Sequence, residues 1–254
     1  MASKVVIITG ASRGIGLAVA QHLLQANHKV VLVARTEDKI LKLKEQYPNQ
    51  VAFCKVDLGT KEPSTSVITE SAIKTFGQLD GLVLNHGTLE PLGRLENAKI
   101  DEWIQAYNTN LFSCLSLIKD AIPHLRKTKG RIVFTSSGAA LKGYSSWGAY
   151  GSSKAALHSL CQHVAVEEPD VVSVSVGPGR VDTDMQKLIR ETGKGVMADK
   201  DYAGFQTAFE EGRLNKPEWP AQVMAQLVLE AKPELSGKYA TWDSETFAPY
   251  RDQQ

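Results

Sequence analysis

Two side chains in the middle of the chain have a spacing that suits proton transfer. Tyr150 and Lys154 lie four positions apart in a stretch, 146–157, that is predicted to be helical. Positions i and i+4 lie on one face of an α-helix, so we expect the phenol and the ammonium group to meet. A free phenol has a pKa of about 10, and a neighbouring cation favours the phenolate and lowers that pKa. The pair therefore predicts a general acid or base that works near neutral pH.

A glycine-rich turn near the start of the sequence suits the binding of a phosphate group. It follows an apolar, β-branched run at residues 4–9 and precedes a helical pattern that begins at residue 15. Glycine lets the backbone approach a pyrophosphate, and a helix N-terminus offers free N–H groups and the positive end of its dipole. Gly10, Gly14 and Gly16 have the spacing G-x-x-x-G-x-G, which differs from the commoner G-x-G-x-x-G. This order of strand, turn and helix predicts a nucleotide site.

Short apolar runs alternate with helical patterns along the sequence. Candidate strands are 4–9, 29–34, 51–56, 81–85, 130–136, 171–176 and 238–240, and candidate helices are 15–26, 39–46, 64–76, 100–126, 149–166 and 220–231. Strands that are apolar nearly throughout and separated by helices indicate a parallel sheet covered on both faces. Because we find no repeat or linker, we predict one doubly wound α/β domain over residues 1–254, with about seven strands.

One long region in this pattern, 184–217, is expected to be irregular. It is rich in glycine and charge, and it is longer than a usual connection. It also follows the end of a strand that is expected to face the cofactor. We predict a lid over the substrate, with a plain surface insertion as the alternative.

The composition is that of an ordinary globular protein, with 43% hydrophobic and 22% charged residues. A net charge of +1 gives no reason to expect a nucleic-acid partner. Cys54, Cys114 and Cys161 lie in apolar surroundings, which predicts buried free thiols in a reducing compartment. The first strand begins within a few residues of Met1, and no apolar stretch approaches the roughly 20 residues of a membrane helix. We therefore expect a cytoplasmic protein.

Taken together, the motifs resemble those of the short-chain dehydrogenase/reductase family from about residue 4 to about residue 240. The matching motifs are TGASRGIG at 9–16, NHG at 85–87, Asn110, Ser137, Tyr150-x-x-x-Lys154 and GPGRVDT at 177–183. Within the family, residues 167–169 and 178–186 resemble the sepiapterin reductase branch, and residues 147–154 resemble the benzil-reductase-like enzymes of microbes. The resemblance implies a Rossmann fold, an oxidoreductase activity, and a homodimer or homotetramer formed through the predicted helices 100–126 and 149–166.

The end of the second predicted strand bears on the choice of cofactor. In this fold an acidic residue about 20 positions after the glycines binds the ribose 2′-OH of NAD. Here neither residue 34 nor residue 35 is acidic. Arg35 can instead pair with a 2′-phosphate, and Arg13 in the glycine turn points to the same pocket. We therefore predict NADP(H), although either arginine alone could be a solvated surface charge.

The resemblance also assigns contacts along the rest of the cofactor. Asp57 and Leu58 match the adenine contact, although an Asp that ends a strand is often only a turn cap. The predicted cofactor residues are Gly10, Ser12, Arg13, Gly14, Ile15, Gly16, Arg35, Thr36, Asp57, Leu58, Asn85, Gly87, Tyr150, Lys154, Pro178, Gly179, Val181 and Thr183. No metal site is predicted.

For the chemistry, the resemblance implies hydride transfer between a nicotinamide and a carbonyl carbon. Tyr150 would donate a proton to the carbonyl oxygen, and Ser137 would hold that oxygen by a hydrogen bond. Lys154 would lower the pKa of Tyr150 and bind the nicotinamide ribose, and Asn110 would hold a water of a proton relay. Donors aimed at charge that develops in the transition state give selective stabilisation.

The substrate side is less well defined by the sequence. Tyr144, Trp147, Met185 and Leu188 are predicted as apolar walls of the pocket. Trp147 could stack on an aromatic substrate, or it could pack at a core or dimer surface. His86, where the family usually has Ala, is expected to pack or hydrogen-bond locally. Asp243 lies near the place of the acidic residue that binds pterin in the sepiapterin-reductase-like branch, which leaves pterin reduction open.

The sequence thus predicts an NADPH-dependent carbonyl reductase acting on a ketone or vicinal diketone, with aromatic substrates included. One alternative is a non-enzymatic NADP-binding regulator, which would have no need of a proton donor. Another is an NADP-dependent alcohol or hydroxysteroid dehydrogenase that works in the oxidative direction. The predicted NADP preference favours reduction over that alternative.

Overall fold

Seven short strands form one sheet in the computed structural model, which describes residues 2–251. They are β1 Val5–Thr9, β2 Lys29–Ala34, β3 Val51–Lys55, β4 Gly81–Leu84, β5 Arg131–Thr135, β6 Val172–Gly177 and β7 Tyr239–Thr241. Their order is β3-β2-β1-β4-β5-β6-β7, and all neighbours are parallel. The predicted parallel sheet is confirmed, and each strand boundary lies within one residue of its predicted place.

Helices connect the strands and follow β6. They are α1 Gly14–Gln25, α2 Asp38–Gln46, α3 Ser66–Phe76, α4 Ile100–Tyr107, α5 Ser113–Thr128, α6 Gly148–Glu167, α7 Asp184–Thr192, α8 Asp199–Glu210 and α9 Glu218–Glu230. Among residues 2–251, no helix is long and apolar enough to cross a membrane.

The alternation of side chains along the strands explains why both faces of the sheet are covered. In β1, Val6 and Ile8 belong to one apolar core, which also contains buried residues of α1, α2 and α9. Val5 and Ile7 belong to a second core, which contains buried residues of α3, α5 and α6. Because successive side chains of a strand point to opposite faces, an apolar run fills both cores at once.

The helix predicted over residues 100–126 is interrupted. Between α4 and α5, the segment Asn108–Phe112 forms a single π-helical turn. Such turns are rare and often mark functional sites. Here the turn contains Asn110, whose side chain is fully buried.

The prediction that residues 184–217 are irregular is wrong, because α7 and α8 cover most of this region. Both helices have apolar residues at helical spacing, and Ile189 of α7 and Phe205 of α8 are buried. They pack with Met197, from the short connection between them, against Trp147 and Tyr150. Charged residues surround these few apolar positions, so the helical periodicity is weak in the sequence.

The parallel arrangement brings the chain's predicted site motifs to one edge. The carboxyl ends of β1, β4, β5 and β6 lie side by side in the sheet. Strands β2 and β3 lie on one side of β1, and strands β4 to β7 lie on its other side. Ligands of open α/β sheets bind at the carboxyl edge where the strand order reverses in this way, which here is between β1 and β4.

The turn after β1 depends on the absence of side chains at two glycines. Gly10 has a φ of +65°, in the left-handed region that favours glycine. A methyl group on Gly16 would lie 2.6 Å from Nδ2 of Asn85 and would also meet the carbonyl oxygen of Gly10. The backbone atoms of Gly10 cannot move without disturbing the end of β1.

We predict that Gly16→Ala lowers the free energy of unfolding by about 1–3 kcal/mol, the usual cost of overpacking. Gly143→Ala is the matched control, because a Cβ there would meet no atom within 4 Å. The control is expected to be neutral or to gain up to about 1 kcal/mol. Chemical denaturation measures both variants, and equal stability of the two would contradict the prediction.

Candidate active site

Helix α6 holds Tyr150 and Lys154 on its buried face. Tyr150 is 6% exposed and Lys154 is 3% exposed, and Nζ of Lys154 lies 5.9 Å from the centroid of the Tyr150 ring. The ammonium group donates a 2.8 Å hydrogen bond to the carbonyl oxygen of Thr135, the last residue of β5. The structure therefore brings the two side chains together at the carboxyl edge of the sheet.

The prediction that Lys154 lowers the pKa of Tyr150 is wrong in this structure. Burial raises the pKa of the Tyr150 phenol, and a hydrogen bond with Ser137 opposes this effect only in part. Burial also lowers the pKa of Lys154, to about 8. Loss of water disfavours the charged form of both groups, and Nζ of Lys154 is bound to a backbone oxygen instead of the phenol. At neutral pH the phenol is therefore protonated, as a proton donor must be.

Ser137 lies next to Tyr150, directly after β5. Its hydroxyl accepts a 3.1 Å hydrogen bond from the backbone N–H of Ala139, which caps the short helical turn Gly138–Ala140. A hydroxyl that accepts this bond still has its own hydrogen to donate. Ser137 and Tyr150 can thus offer two donors to one oxygen atom.

Asn110 uses its side chain to join three segments. Its Oδ1 accepts from the N–H of Thr88 at 2.8 Å, and its Nδ2 donates to the carbonyl oxygen of Thr88 at 2.9 Å and to the hydroxyl of Ser153 at 3.0 Å. Both amide hydrogens are then used. Gly87 completes this corner, because a Cβ there would be 3.2 Å from Oδ1 of Asn110 and 3.5 Å from Nζ of Lys154.

The predicted cofactor residues follow the strands in order along the carboxyl edge. Gly10 to Gly16 follow β1, Arg35 and Thr36 follow β2, Asp57 and Leu58 follow β3, Asn85 and Gly87 follow β4, and Pro178, Gly179, Val181 and Thr183 follow β6. Helix α1 has no acidic residue in its first turn and no side chain that caps its N-terminus. Free N–H groups without a nearby carboxylate fit a pyrophosphate well.

Two of these residues also make contacts within the chain. Arg13 forms a 2.7 Å ion pair with Asp184 at the start of α7, with both side chains more than 60% exposed. Oδ1 of Asp57 accepts a 2.9 Å hydrogen bond from the N–H of Gly59, which is the turn cap considered as the alternative. Arg35 is exposed and takes part in no ion pair within the described residues.

Asn215 is a structural residue of the site that the sequence did not reveal. Its Nδ2 donates to the carbonyl oxygen of Pro178 at 3.2 Å. Its backbone also bonds the turn after β6, donating to the carbonyl oxygen of Arg180 and accepting from the N–H of Asp182. Asn215 lies in the region that was predicted to be irregular, and only the folded chain brings it to this turn.

Aromatic side chains form one wall beside Tyr150. The ring of Trp147 lies 5.0 Å from that of Tyr144, 5.3 Å from that of Phe205 and 5.7 Å from that of Tyr150. Trp147 is only 6% exposed, so the structure favours the packing interpretation of this residue. Phe205, on α8, is a further wall residue that the sequence did not reveal. Half-buried Met185 and Leu188 pack against the same cluster.

His86 is held by two hydroxyl groups. Its Nδ1 lies 2.7 Å from Oγ1 of Thr9, and its Nε2 lies 2.8 Å from Oγ of Ser113. Ser113 donates its own hydrogen to the carbonyl oxygen of Thr109, which favours Nε2 as the donor to Ser113. Burial, together with the nearby charge of Lys154, lowers the pKa of His86 to about 3 and keeps it neutral. This is the local hydrogen bonding expected from the sequence.

A family model described as short chain dehydrogenase matches residues 4–194. The chain belongs to the short-chain dehydrogenase family. It is therefore a short-chain oxidoreductase that uses a nicotinamide cofactor, and the resemblance seen in the sequence is confirmed.

Three relatives are similar to the chain at different levels. An uncharacterized oxidoreductase of Schizosaccharomyces pombe is 42% identical over 96% of this chain and 98% of that protein. A benzil reductase ((S)-benzoin forming) of Saccharomyces cerevisiae is 38% identical over 97% of this chain and 98% of its own length. A sepiapterin reductase of Meriones unguiculatus is 32% identical over 74% of this chain and 78% of its own length.

Solved structures share the fold. A short-chain dehydrogenase/reductase of Saccharomyces cerevisiae has a TM-score of 0.94 at 37% identity, covering 98% of this chain and 100% of that one. The L-sorbose reductase of Gluconobacter frateurii, solved with NADPH and L-sorbose, has a TM-score of 0.81 at 28% identity, covering 94% and 95%.

The low pKa of Lys154 should make the stability of the protein depend on pH. An ordinary lysine has a pKa of 10.5, against about 8 here, so between these values the unfolded chain binds more protons and stability rises with pH. We expect Lys154→Met to be more stable than the parent at pH 7. The difference should shrink by about 2 kcal/mol at pH 9.5.

Urea denaturation at the two pH values measures this change. Lys42→Met, at an exposed position of α2, is the matched control and should show no such trend. If the free energies of unfolding of Lys154→Met and the parent differ by the same amount at both pH values, the pKa of Lys154 is not lowered in the folded protein.

Proposed function

We propose that this protein is an NADPH-dependent carbonyl reductase that converts a ketone or vicinal diketone to an alcohol. The observation that carries the proposal is a buried Tyr150, whose pKa is raised by burial, with Ser137 beside it at the carboxyl edge of the sheet. The half-buried side chains of Tyr144, Met185 and Leu188, which pack on the aromatic cluster of Trp147 and Phe205, support an apolar substrate with aromatic groups. The similarity to a benzil reductase supports a diketone.

In the proposed reaction a nicotinamide held at this edge of the sheet would supply a hydride to the carbonyl carbon. Tyr150 and Ser137 donate hydrogen bonds to the carbonyl oxygen, which becomes negative as the carbon–oxygen double bond is reduced. Tyr150 then transfers its proton to that oxygen, and the product is an alcohol. These donors stabilise charge that is present only in the transition state, so they lower its free energy more than that of the bound ketone.

Lys154 and Asn110 are proposed to act from behind Tyr150. The ammonium of Lys154 remains protonated at neutral pH and faces the corner formed by Gly87 and Asn110. There it could bind the ribose of the nicotinamide and favour return of a proton to Tyr150. Since the side-chain amide of Asn110 is already bonded, a relay water would have to bind to its backbone carbonyl oxygen.

NADP(H) as the cofactor is proposed from the charges around the first two strands. Arg35 is exposed after β2, and none of the described ion pairs engages it. Arg13 pairs with Asp184, but a pair this exposed contributes only about 0–1 kcal/mol. A 2′-phosphate, with its larger charge, could therefore replace the carboxylate as the partner of Arg13. The NADPH bound to the related L-sorbose reductase supports this choice.

We also propose that residues 184–217 form a lid over the substrate and that two copies of the chain associate. Helix α7 is joined to the glycine turn by the Arg13–Asp184 pair, which supports a lid that responds to the cofactor.

The proposed association of two copies is supported by exposed apolar side chains. Ile104, Phe112 and Leu115 are exposed on α4 and α5 and in the turn between them, and a second copy would cover them. A related structure of Saccharomyces cerevisiae is described as a cytoplasmic protein, which supports the same location.

The first test removes the proton donor. Tyr150→Phe is expected to lower kcat by about 100- to 10,000-fold, the range for loss of a general acid. NADPH affinity, measured by fluorescence titration, should change little. The assay follows NADPH oxidation with benzil, an aliphatic diketone, sepiapterin and a simple aldehyde.

Other outcomes of this test distinguish the alternatives. Unchanged turnover by Tyr150→Phe would contradict the proposed mechanism. Tight NADPH binding by the parent without turnover of any carbonyl would favour a regulator. Faster oxidation of alcohols with NADP⁺ than reduction of the matching ketones would favour a dehydrogenase.

The second test addresses the cofactor. Arg35→Ala is expected to weaken NADPH binding about tenfold, because a charge-assisted bond to phosphate is lost, with little change for NADH. Asp184→Asn should tighten NADPH binding by up to about fivefold, since it releases Arg13. Equal effects of Arg35→Ala on the two cofactors would show that this side chain does not bind the 2′-phosphate.

A further inference from the structure

Tyr239 carries a third phenol to the carboxyl edge of the sheet. It begins β7, where it pairs in register with Ser175 of β6. Its side chain extends towards the end of β6, because a Cβ on Gly177 would lie 3.0 Å from Cζ of Tyr239 and would also meet the phenol oxygen. Gly177 thus leaves the space that the Tyr239 phenol occupies, one residue before the turn at Pro178.

The ring of Tyr239 is held in place by a neighbour on α6. His158 packs edge-on against it with 5.7 Å between ring centroids. Nδ1 of His158 lies 3.3 Å from the hydroxyl of Ser175, which fixes the imidazole. The ring is therefore supported from both α6 and β6.

The phenol oxygen of Tyr239, in contrast, has no hydrogen-bond partner within residues 2–251. Two other tyrosines use their hydroxyls inside the fold: Tyr202 donates to the carbonyl oxygen of Arg190, and Tyr250 accepts from the N–H of Lys232. A half-buried phenol with a supported ring and a free hydroxyl can bind a ligand without rearrangement.

Tyr239 is also close to the residues on which the proposed reaction rests. A charge on Tyr239 would raise the pKa of Tyr150, and a charge on Tyr144 would raise the pKa of Tyr239. Burial is the larger effect in both cases, and it keeps both phenols protonated. Tyr150 and Tyr239 are therefore two protonated donors near one another, on the same side of the sheet edge as the aromatic wall.

We propose that Tyr239 is a specificity-determining residue, which donates a hydrogen bond to the second oxygen of a vicinal dicarbonyl substrate while Tyr150 and Ser137 hold the oxygen that is reduced. This inference rests on the proposed function and narrows its substrate class. A dicarbonyl has two adjacent oxygens and would engage both sets of donors. A simple ketone has one oxygen and would leave the Tyr239 hydroxyl without a partner in a partly dry pocket, which costs affinity.

The test pairs a change in the protein with a change in the substrate. Benzil has two adjacent carbonyl groups, and deoxybenzoin has a methylene group in place of one of them. Tyr239→Phe should lower kcat/KM for benzil about tenfold, the value of one hydrogen bond in such a site. The same variant should change kcat/KM for deoxybenzoin less than about twofold. Tyr47→Phe removes a hydroxyl next to α2 and is the matched control.

Each other result has a definite meaning. An equal loss for both substrates would overturn the inference, because it would show an indirect effect on packing or on the Tyr150 pKa. No loss for either substrate would overturn it as well. A parent protein that reduces neither compound would contradict the proposed function itself, and the inference with it.

A second variant guards against a folding defect in the first. His158→Ala removes the support of the Tyr239 ring and keeps its hydroxyl, so its loss for benzil should be smaller than that of Tyr239→Phe. The thermal midpoint and the NADPH dissociation constant of both variants should stay close to those of the parent. A larger loss for His158→Ala than for Tyr239→Phe would count against a direct contact by the hydroxyl.

Discussion

The hydrogen bond from Lys154 to the carbonyl oxygen of Thr135 ties helix α6 to the end of β5. It places a buried ammonium group where the strand ends, and burial lowers the pKa of that group to about 8. Tyr150 lies one turn earlier on the same face of α6, so the same bond fixes the height of the phenol above the sheet. Burial of a cation costs free energy. The buried ammonium of Lys154 lies where the proposed proton transfer takes place.

A second network aligns the strands below this pair. Asn85 at the end of β4 donates to the carbonyl oxygens of Thr9 and Gly10 and accepts from the hydroxyl of Thr135. His86 extends the network from Thr9 to Ser113 on α5. Three strand ends and a helix are thus joined by uncharged groups, and a neutral His86 adds no second cation beside Lys154. The glycine turn and the proton donor are held in one frame.

How much the sequence could predict follows from the range of each interaction. The strands and α6 were predictable because their patterns are local: apolar runs for strands, and a four-residue spacing for Tyr150 and Lys154. Helices α7 and α8 were missed because their few apolar residues pack against residues that are distant in the sequence, among them Trp147 and Tyr150. Phe205, Asn215 and Tyr239 were missed for the same reason.

The predicted direction of the Tyr150 pKa shift was wrong for a different reason. A neighbouring cation can be inferred from spacing, but the loss of water around both groups depends on the whole fold. The i, i+4 rule gives the distance of Lys154 from Tyr150 and says nothing of Thr135, whose carbonyl oxygen takes the ammonium hydrogen bond. The sign of the pKa shift is therefore set by the burial of Tyr150 in the complete fold.

That sign also bears on the direction of the reaction. A reductase must offer a proton to the developing alkoxide, and a phenol whose pKa is raised by burial is protonated throughout the neutral range. Oxidation of an alcohol requires the same phenol to accept a proton, which it can do only as the phenolate. In the proposed mechanism, a protonated Tyr150 therefore suits reduction at neutral pH, whereas the oxidative direction would require its phenolate. The phenols of Tyr150 and Tyr239, both with a pKa raised by burial, suit the proposed dicarbonyl substrate, which has two oxygens to receive hydrogen bonds.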